Sequence, residues 1–429
     1  MDFKREKKNW ILISMISFFV VAFAAFIAAT FYDFEIQEWF TQGMDYPIVR
    51  WWVALWDEMG KSQMIIVIVI ILFVMFESFV FYHKTKKTKW AQGKRWAVYT
   101  VYGIWLTIWL AINIYWILAM RFMDDGWGQG FDSKLVDTYV PRMTARIFLF
   151  IVESIIMMSV FYFLRFKFSK RKDVLTGEYW VDSLKVLIFI GFGYIMIFIF
   201  KQSFGRPYFY SVVFDDVIRD KAMELGVDPS LIDQGPFNQA DYKEWYEING
   251  NWLENLKYWL PWRIFNGSDI NNAPAGWTDG DFPSGHTIST FAILALMFFF
   301  VGKHKTTNNH KGVKIFAAIW FIHLLSMNFS LIVFRFHWLT DTTFAMMFSI
   351  VFLPIASVFT ERMTRKIIVK FNAKRNIENK TFILKEGKSI KVYVVHYKKE
   401  WILKTYANQK TFDRKFDKYQ TKRKLNINI

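Results

Sequence analysis

Eight long apolar runs restrict what this sequence can fold into more than any other feature: Trp10–Phe31, Met64–Tyr82, Trp96–Met120, Ile147–Leu164, Val186–Phe200, Thr287–Val301, Ile315–Phe334 and Thr343–Phe359. A bilayer core about 30 Å thick is crossed by roughly 20 apolar residues in a helix. A helix satisfies its own backbone groups, which hydrocarbon cannot do. The expected fold is an all-α integral membrane protein with eight transmembrane helices, the fifth and sixth runs being short for a full crossing. Trp10–Phe31 is too long for the apolar region of a cleavable signal peptide, and no small-residue cleavage site precedes Asp33 and Glu35. It is expected to stay as a helix. The chain has no cysteine, which excludes disulfides, thiolate metal sites and a cysteine nucleophile.

Charge sets the orientation. Lys4, Arg5, Lys7 and Lys8 precede the first run, and Lys84, Lys86, Lys87, Lys89, Lys94 and Arg95 lie between the second and third. Arg165, Lys167, Lys170, Arg171 and Lys172 follow the fourth, and Lys303, Lys305, Lys311 and Lys314 follow the sixth. The intervening segments carry Asp33, Glu35, Glu38, Asp57 and Glu58, then Asp124, Asp125, Asp132 and Asp137. Basic loops prefer the cytoplasm. All of them fall on one side only with eight spans across a cell membrane and both termini cytoplasmic. The net charge of +17 is then mostly topological, and no nucleic-acid partner is expected.

Three regions follow: residues 1–95 with two spans, 96–360 as a membrane core that includes an outer loop 202–285, and a basic cytoplasmic tail 361–429. Within the outer loop Asp215–Leu225 and Ala240–Leu260 read as helical, the second lying on the membrane surface. In the tail Phe382–Leu384 and Lys391–Val395 read as a hairpin, and Lys398–Lys424 as helical or disordered chain near anionic headgroups.

Topology also sorts the seven histidines. His83, His304, His310 and His396 sit among cytoplasmic lysines, and His323 is mid-span, where a hydrogen bond to a neighbouring helix is expected. His286 and His337 fall at the outer boundary, each inside a polar cluster. One cluster is Asp281-Phe-Pro283-Ser284-Gly285-His286-Thr287, another Arg335-Phe-His337-Trp-Leu-Thr-Asp341, and a third Lys201-Gln-Ser-Phe-Gly205-Arg206-Pro207. Any one alone reads as a turn or a helix start. All three share one face of the bundle, and together they describe phosphoryl-transfer chemistry. Lys201 and Arg206 supply cations, and arginine grips phosphate oxygens in a bidentate manner. Pro283-Ser284-Gly285 leads into a helix whose first N–H groups form an anion cradle. His337 and Asp341 are one helical turn apart, so the carboxylate can fix the imidazole tautomer and free the other nitrogen for attack.

In these motifs the chain resembles the type 2 phosphatidic acid phosphatase superfamily, whose pattern is a Lys followed by Arg-Pro, then Pro-Ser-Gly-His, then Ser-Arg, five residues, His, three residues, Asp. Pro283–His286 and the His337/Asp341 pair match. Arg206-Pro207 comes five residues after Lys201, where the family usually has seven, and Tyr208 stands in the seventh place. Leu331 follows Ser330 where the family has arginine. The resemblance implies a six-helix phosphatase-type core in spans three to eight, with spans one and two as N-terminal additions. It implies a membrane phosphatase that hydrolyses a lipid phosphate or pyrophosphate at the outer face without a metal or other cofactor. His337 would form a phosphohistidine, Asp341 would orient it, and His286 would protonate the leaving alkoxide and then activate water. Lys201, Arg206, Ser284 and Gly285 would bind the phosphate. The alternatives are a lipid phosphotransferase of the same fold and a catalytically impaired relative that binds or transports lipid.

For the missing arginine, two readings of Arg335 stand side by side: it takes over the phosphate contact, or it only reaches lipid headgroups at the outer interface. It lies four residues past Leu331, which on a continuous helix is a rotation of about 40° and a rise of about 6 Å. The topology makes its own prediction. A tag after Ile429 should be cytoplasmic, and a protease added to intact cells should cut within residues 202–285 while sparing the tail. Cleavage of both segments from the same side would break the eight-span count.

Overall fold

In the computed structural model the chain describes residues 3–85, 95–122, 140–175, 177–213, 216, 219–220, 222–223, 226, 228, 241–246, 280–301, 310–374, 381–386, 389–396, 399–406 and 408–412. The long helices are α1 (Phe3–Thr41), α2 (Pro47–Thr85), α3 (Arg95–Phe122), α4 (Val140–Tyr162), α5 (Tyr179–Phe204), α6 (Gly285–Ala295), α7 (His310–Val333) and α8 (Leu339–Lys374). Among the described residues seven helical stretches are long and apolar enough to cross a membrane: Ile11–Asp45, Pro47–Thr85, Trp96–Met120, Val140–Lys170, Tyr179–Lys201, Gly312–Val333 and Leu339–Ile367. The protein is therefore a multi-helical membrane protein. The sixth apolar run is the exception. Helix α6 passes into a 3-10 turn at Leu296–Phe299, and Gly285–Phe299 falls short of span length, so the expected eight full spans reduce to seven plus one short helix.

The short helix still reverses the chain. Along α6, Gly285 lies by Ile197 and Ile288 by Gly193, so it runs antiparallel to α5. Thr287 donates to Asn328 and the Thr290 carbonyl accepts from Trp320, so it also runs antiparallel to α7. The C-terminal ends of α5 and α7 and the N-terminal ends of α6 and α8 thus gather at one end of the bundle.

The first two helices exceed their apolar runs. Asp33, Glu35 and Glu38 belong to α1 and Asp57 and Glu58 to α2; they are not loop residues as their charge suggests. Asp33, Asp57 and Glu58 are buried. Helix α1 is broken at Tyr32 (φ −136°, ψ 26°). Just before the break the Thr30 hydroxyl donates to the Phe26 carbonyl (2.9 Å) and accepts from the Trp245 indole (3.1 Å). Such back-bonding by threonine bends helices. Past the bend, Asp33 points into the bundle.

Packing rearranges the expected core. Helix α1 lies along α8, and α2 packs on α5, α6 and α7. A shared apolar cluster joins Val67 and Ile71 of α2, Phe189 of α5, Phe291 of α6, Leu324 of α7 and Leu353 of α8. Helix α3 packs on α4, and α4 reaches this bundle through α2. The two N-terminal helices are thus in contact with the helices that carry the three motifs, and the α3–α4 pair is peripheral. Beyond α8 the tail forms an antiparallel sheet ordered β1 (Thr381–Glu386), β2 (Ser389–His396), β3 (Lys399–Tyr406), with Leu384 opposite Lys391 and Val394 opposite Trp401. The expected hairpin is its first two strands. The third strand occupies a stretch expected to be helical or disordered, because its charge density outweighs the alternation that Trp401, Leu403 and Thr405 supply. In the segment 202–285, residues 241–246 are irregular chain, not helix, and most of Ala240–Leu260 lies outside the described residues.

A buried polar group fixes the peripheral pair. Arg146 and Glu153 of α4 are both fully buried and pair at 3.1 Å. Asn113 of α3 accepts from Arg146, and Ser62 of α2 donates to Glu153. Removing one member leaves a charge in an apolar surrounding, at a cost of about 3–5 kcal/mol. Glu153→Ala is therefore expected to lower the detergent-phase melting temperature sharply. The double change Arg146→Met with Glu153→Leu should recover most of that loss, as read by circular dichroism on heating.

Candidate active site

The first cluster is shaped by a helix stop. Gly205 takes the left-handed conformation (φ 55°) and its N–H closes on the Lys201 carbonyl at 3.1 Å, the usual end of a helix at glycine. The chain then turns inward, and Arg206 is buried. Its guanidinium donates to Asp33 of α1 (2.9 Å), to Asp341 of α8 (3.0 Å), to the Thr340 hydroxyl (2.6 Å) and to the Lys243 carbonyl (3.1 Å). It also lies 4.4 Å from the centre of the Trp338 ring. Lys201 donates to the Gly280 carbonyl and to the Asp281 carbonyl (3.2 Å), beside the Tyr208 hydroxyl at 3.5 Å. Both expected phosphate-binding cations are already engaged within the protein.

The second cluster is a helix start. Ser284 caps α6, its hydroxyl accepting from the Thr287 N–H (3.3 Å) and donating to the Thr287 hydroxyl oxygen (3.0 Å). A serine cap satisfies an otherwise unpaired N–H of the first turn. His286 is the second residue of the helix, and its ring rests on Gly60 of α2. A Cβ added at Gly60 would overlap the imidazole, so this position needs glycine for close approach. One turn along α2, Gln63 donates to the His286 carbonyl (3.3 Å) and to Ser289 (2.7 Å), and its amide oxygen meets His323 (2.7 Å). His323 thus bonds to a neighbouring helix, as expected for a mid-span histidine.

In the third cluster α7 stops at Val333, and Arg335 takes φ 63°. The N–H groups of Phe336 (3.0 Å) and His337 (3.2 Å) both close on the Leu331 carbonyl. The expected continuous helix from Leu331 to Arg335 is therefore absent, and the one-turn rotation that was to replace the missing arginine does not apply. His337 precedes α8, and Asp341 lies in the first turn of that helix. The imidazole Nδ1 meets the Asp281 carboxylate, with Asp341 at 3.6 Å. The His286 and His337 rings face each other at 6.4 Å, inclined by 66°.

Electrostatics follows from this packing. Burial disfavours charge on His337, but the Asp281 carboxylate outweighs it and holds the ring above the ordinary 6.5. Burial lifts the Asp281 carboxyl well above the ordinary 3.8, reinforced by Asp341. Burial also opposes charge on Arg206, and Asp341 and Asp33 reverse this, so the guanidinium stays charged. An imidazole with one nitrogen held by carboxylate presents the other as nucleophile or base. A second imidazole opposite can move a proton. Asp281, His337 and Asp341 also offer one ligand atom each within 4.8 Å of one another, close enough to hold a metal ion.

The first and third clusters, 134 residues apart from Arg206 to Thr340, meet directly, and Lys201 and His337 bring in the second at Asp281. Four contributors were not named from the sequence as site residues. Asp33 and Gly60 belong to helices read as additions, Gln63 sits at the edge of an apolar run, and Asp281 stood in a quoted cluster with no role. The one available signal was for Asp281, an acid two residues before Pro283 in a motif otherwise read for its anion-binding backbone.

Residues 182–365 match the PAP2 superfamily model, and the chain carries a PAP2 superfamily domain over that stretch. An uncharacterized protein of Mycoplasma capricolum subsp. capricolum is 28% identical over 341 residues, covering 76% of this chain and 86% of the relative. No solved structure matches.

Gly60 generates a test. Gly60→Ala pushes the His286 ring aside while leaving every polar group in place. Displacements of about 1 Å at a reacting group cost roughly a hundredfold in rate. Turnover should fall by about that factor, with the melting temperature changed far less.

Proposed function

We propose that this protein is a membrane phosphatase that hydrolyses a lipid phosphate or pyrophosphate at the outer face through a phosphohistidine. The observation that carries the reading is the pair of facing imidazoles, one of them held at Nδ1 by carboxylate. His337 Nε2 attacks phosphorus, and the bond from phosphorus to the leaving oxygen breaks. His286 gives that oxygen its proton. In the second step His286 takes a proton from water, the resulting hydroxide attacks phosphorus, the N–P bond breaks and phosphate leaves. An alcohol in place of water would make the same site a phosphotransferase.

Lys201 and Arg206 act here by field and by framing, because their donors are engaged. They offset the negative charge of Asp33, Asp281 and Asp341, which would otherwise repel a phosphate. The first N–H groups of α6, beside the buried Ser284, supply an anion-binding helix terminus. Arg335 remains a candidate phosphate contact, now from a left-handed turn next to the nucleophile. Arg335→Lys keeps the charge and loses the bidentate grip, and a ten- to hundredfold drop in kcat/KM, roughly one to three kcal/mol, is the expected signature of that contact.

Phosphate release from a panel of lipid phosphates by the purified full chain in detergent tests the reading. His337→Ala should abolish it, and Asp341→Asn should lower it steeply. His286→Ala should slow phosphoenzyme formation from a lipid alkoxide and largely spare it from a nitrophenyl phosphate, whose leaving group needs little protonation. Full activity of His337→Ala would remove the mechanism. The pH profile has a defined sign. His337 must lose its Nε2 proton to attack, and its pKa lies above 6.5. Phosphoenzyme formation from a nitrophenyl phosphate, which needs no proton from His286, should rise with pH as His337 loses its proton, the rise lying above the ordinary imidazole range.

A second reading has its own observation, the ligand-like grouping of Asp281, His337 and Asp341. If that grouping holds a metal in a metal-dependent hydrolase, chelators abolish activity and no phosphohistidine accumulates. Trapping a phosphohistidine in chelator-treated protein decides against it.

A further inference from the structure

We infer that Arg142 of α4 and Lys61 of α2 form a second anion subsite beside His286, for a phosphate carried by the leaving group. The inference rests on the phosphatase reading for the direction in which that group departs. It narrows the substrate to a lipid diphosphate, whose scissile phosphate is joined to a further one. Both residues lie outside 182–365, the stretch that matches the PAP2 superfamily model, so the subsite belongs to the helices that precede it.

The order of groups places the subsite. The His286 ring rests on Gly60 of α2, and His337 faces that ring from 6.4 Å. A phosphorus between the two imidazoles has the nucleophile on one side and His286 with α2 on the other. His337, Asp281 and Asp341 are buried, whereas His286 is part-exposed. The leaving group, which stays with the lipid, therefore extends past His286 towards the open side. Lys61 follows Gly60 there, and it acts on His286 together with Asp57. Arg142, in the first turn of α4, completes the group. Its guanidinium lies 3.8 Å from Asp57 and 5.6 Å from the centre of the Phe334 ring, three residues before His337.

The two cations differ in commitment. Lys61 holds Asp57 at 2.9 Å and Glu58 at 2.7 Å, and so offsets two buried acids that would otherwise repel a phosphate. Among the described residues Arg142 makes no hydrogen bond, 3.8 Å being too long for one. It is part-exposed, so a planar fork of N–H donors is held beside the site by one loose ion pair and one ring. Such a fork grips two phosphate oxygens at once. Lys201 and Arg206, whose donors are engaged within the protein, leave this role open. With a diphosphate, His337 Nε2 attacks the terminal phosphorus and the bond from that phosphorus to the bridging oxygen breaks. The bridging oxygen leaves with the second phosphate and takes the proton of His286. Arg142 and Lys61 balance the charge that departs.

The probes are inorganic diphosphate and inorganic phosphate, titrated calorimetrically into the purified full chain in a non-ionic detergent free of phospholipid. The wild type should bind diphosphate about tenfold or more tighter than phosphate. Arg142→Gln, which leaves Asp57 its partner Lys61, should remove that preference with a smaller change in phosphate binding and an unchanged melting temperature. Arg142→Lys should recover it in part. With lipid substrates, Arg142→Gln should lower the ratio of kcat/KM for a diphosphate to that for a monophosphate about tenfold, chiefly through KM. A diphosphate preference that persists in Arg142→Gln, the result if Arg142 only reaches lipid headgroups, overturns the subsite. Equal binding of both anions by the wild type, or an equal loss of both in the variant, also overturns it. Phosphate release with an unchanged substrate ratio in Arg142→Gln removes the subsite and keeps the phosphatase reading. If the wild type releases phosphate from no lipid while Arg142→Gln still removes the diphosphate preference, the phosphatase reading fails and the anion subsite stands.

Discussion

The buried guanidinium of Arg206 is the interaction on which the architecture of this end of the bundle depends. It joins Asp33 from the first helix, Asp341 and Thr340 from the last, and a carbonyl from the outer loop, with the Trp338 ring against its face. A lone charge at such depth costs several kcal/mol, and partners on two sides with complete hydrogen bonding are what offset that cost. Arginine suits the position because its planar fork addresses two carboxylates at once and is weakly hydrated. The Trp338 indole N–H, bonded to the Pro207 carbonyl at 2.8 Å, closes the same knot from the other direction. His337 is the residue before Trp338. His337 is thus placed by a cation through its neighbour in the chain.

This arrangement separates two tasks that a motif reading merges. Residues of the first cluster were read as phosphate ligands because a Lys and an Arg near an anion cradle are suited to it. In the fold they are spent on holding carboxylates and carbonyls in place. On the proposed reading their contribution to a phosphate is charge balance, which tolerates changes of spacing better than a bidentate contact does. That accounts for a Lys-to-Arg spacing of five and for Leu331 in place of an arginine, since the Leu331 carbonyl, available from any residue, is what supports His337.

Much was legible from the sequence where one physical rule dominated. Apolar length found the helices, charge bias placed both site histidines at one end, and the 281–287 and 335–341 clusters located them. The misses arose where local rules were overridden by tertiary ones. Asp33 and Asp57 read as loop acids because charge in a helix end is indistinguishable from charge in a loop until a partner such as Arg206 is known. The short α6 reads like a span because hydropathy does not register a helix buried among others. Gly60 carries no pattern at all, since its need is a ring that arrives from residue 286.

The kink at Tyr32 has a consequence for how the protein is made. Asp33 enters the membrane with the first helix, yet Thr340, which donates to it, lies 307 residues further along the chain. Until α5 and α8 follow, that carboxylate has neither Arg206 nor Thr340, and burying it unpaired is unfavourable. The break in α1 leaves it one residue past the bend. The partners that satisfy Asp33 are therefore complete only once the last helix is in place.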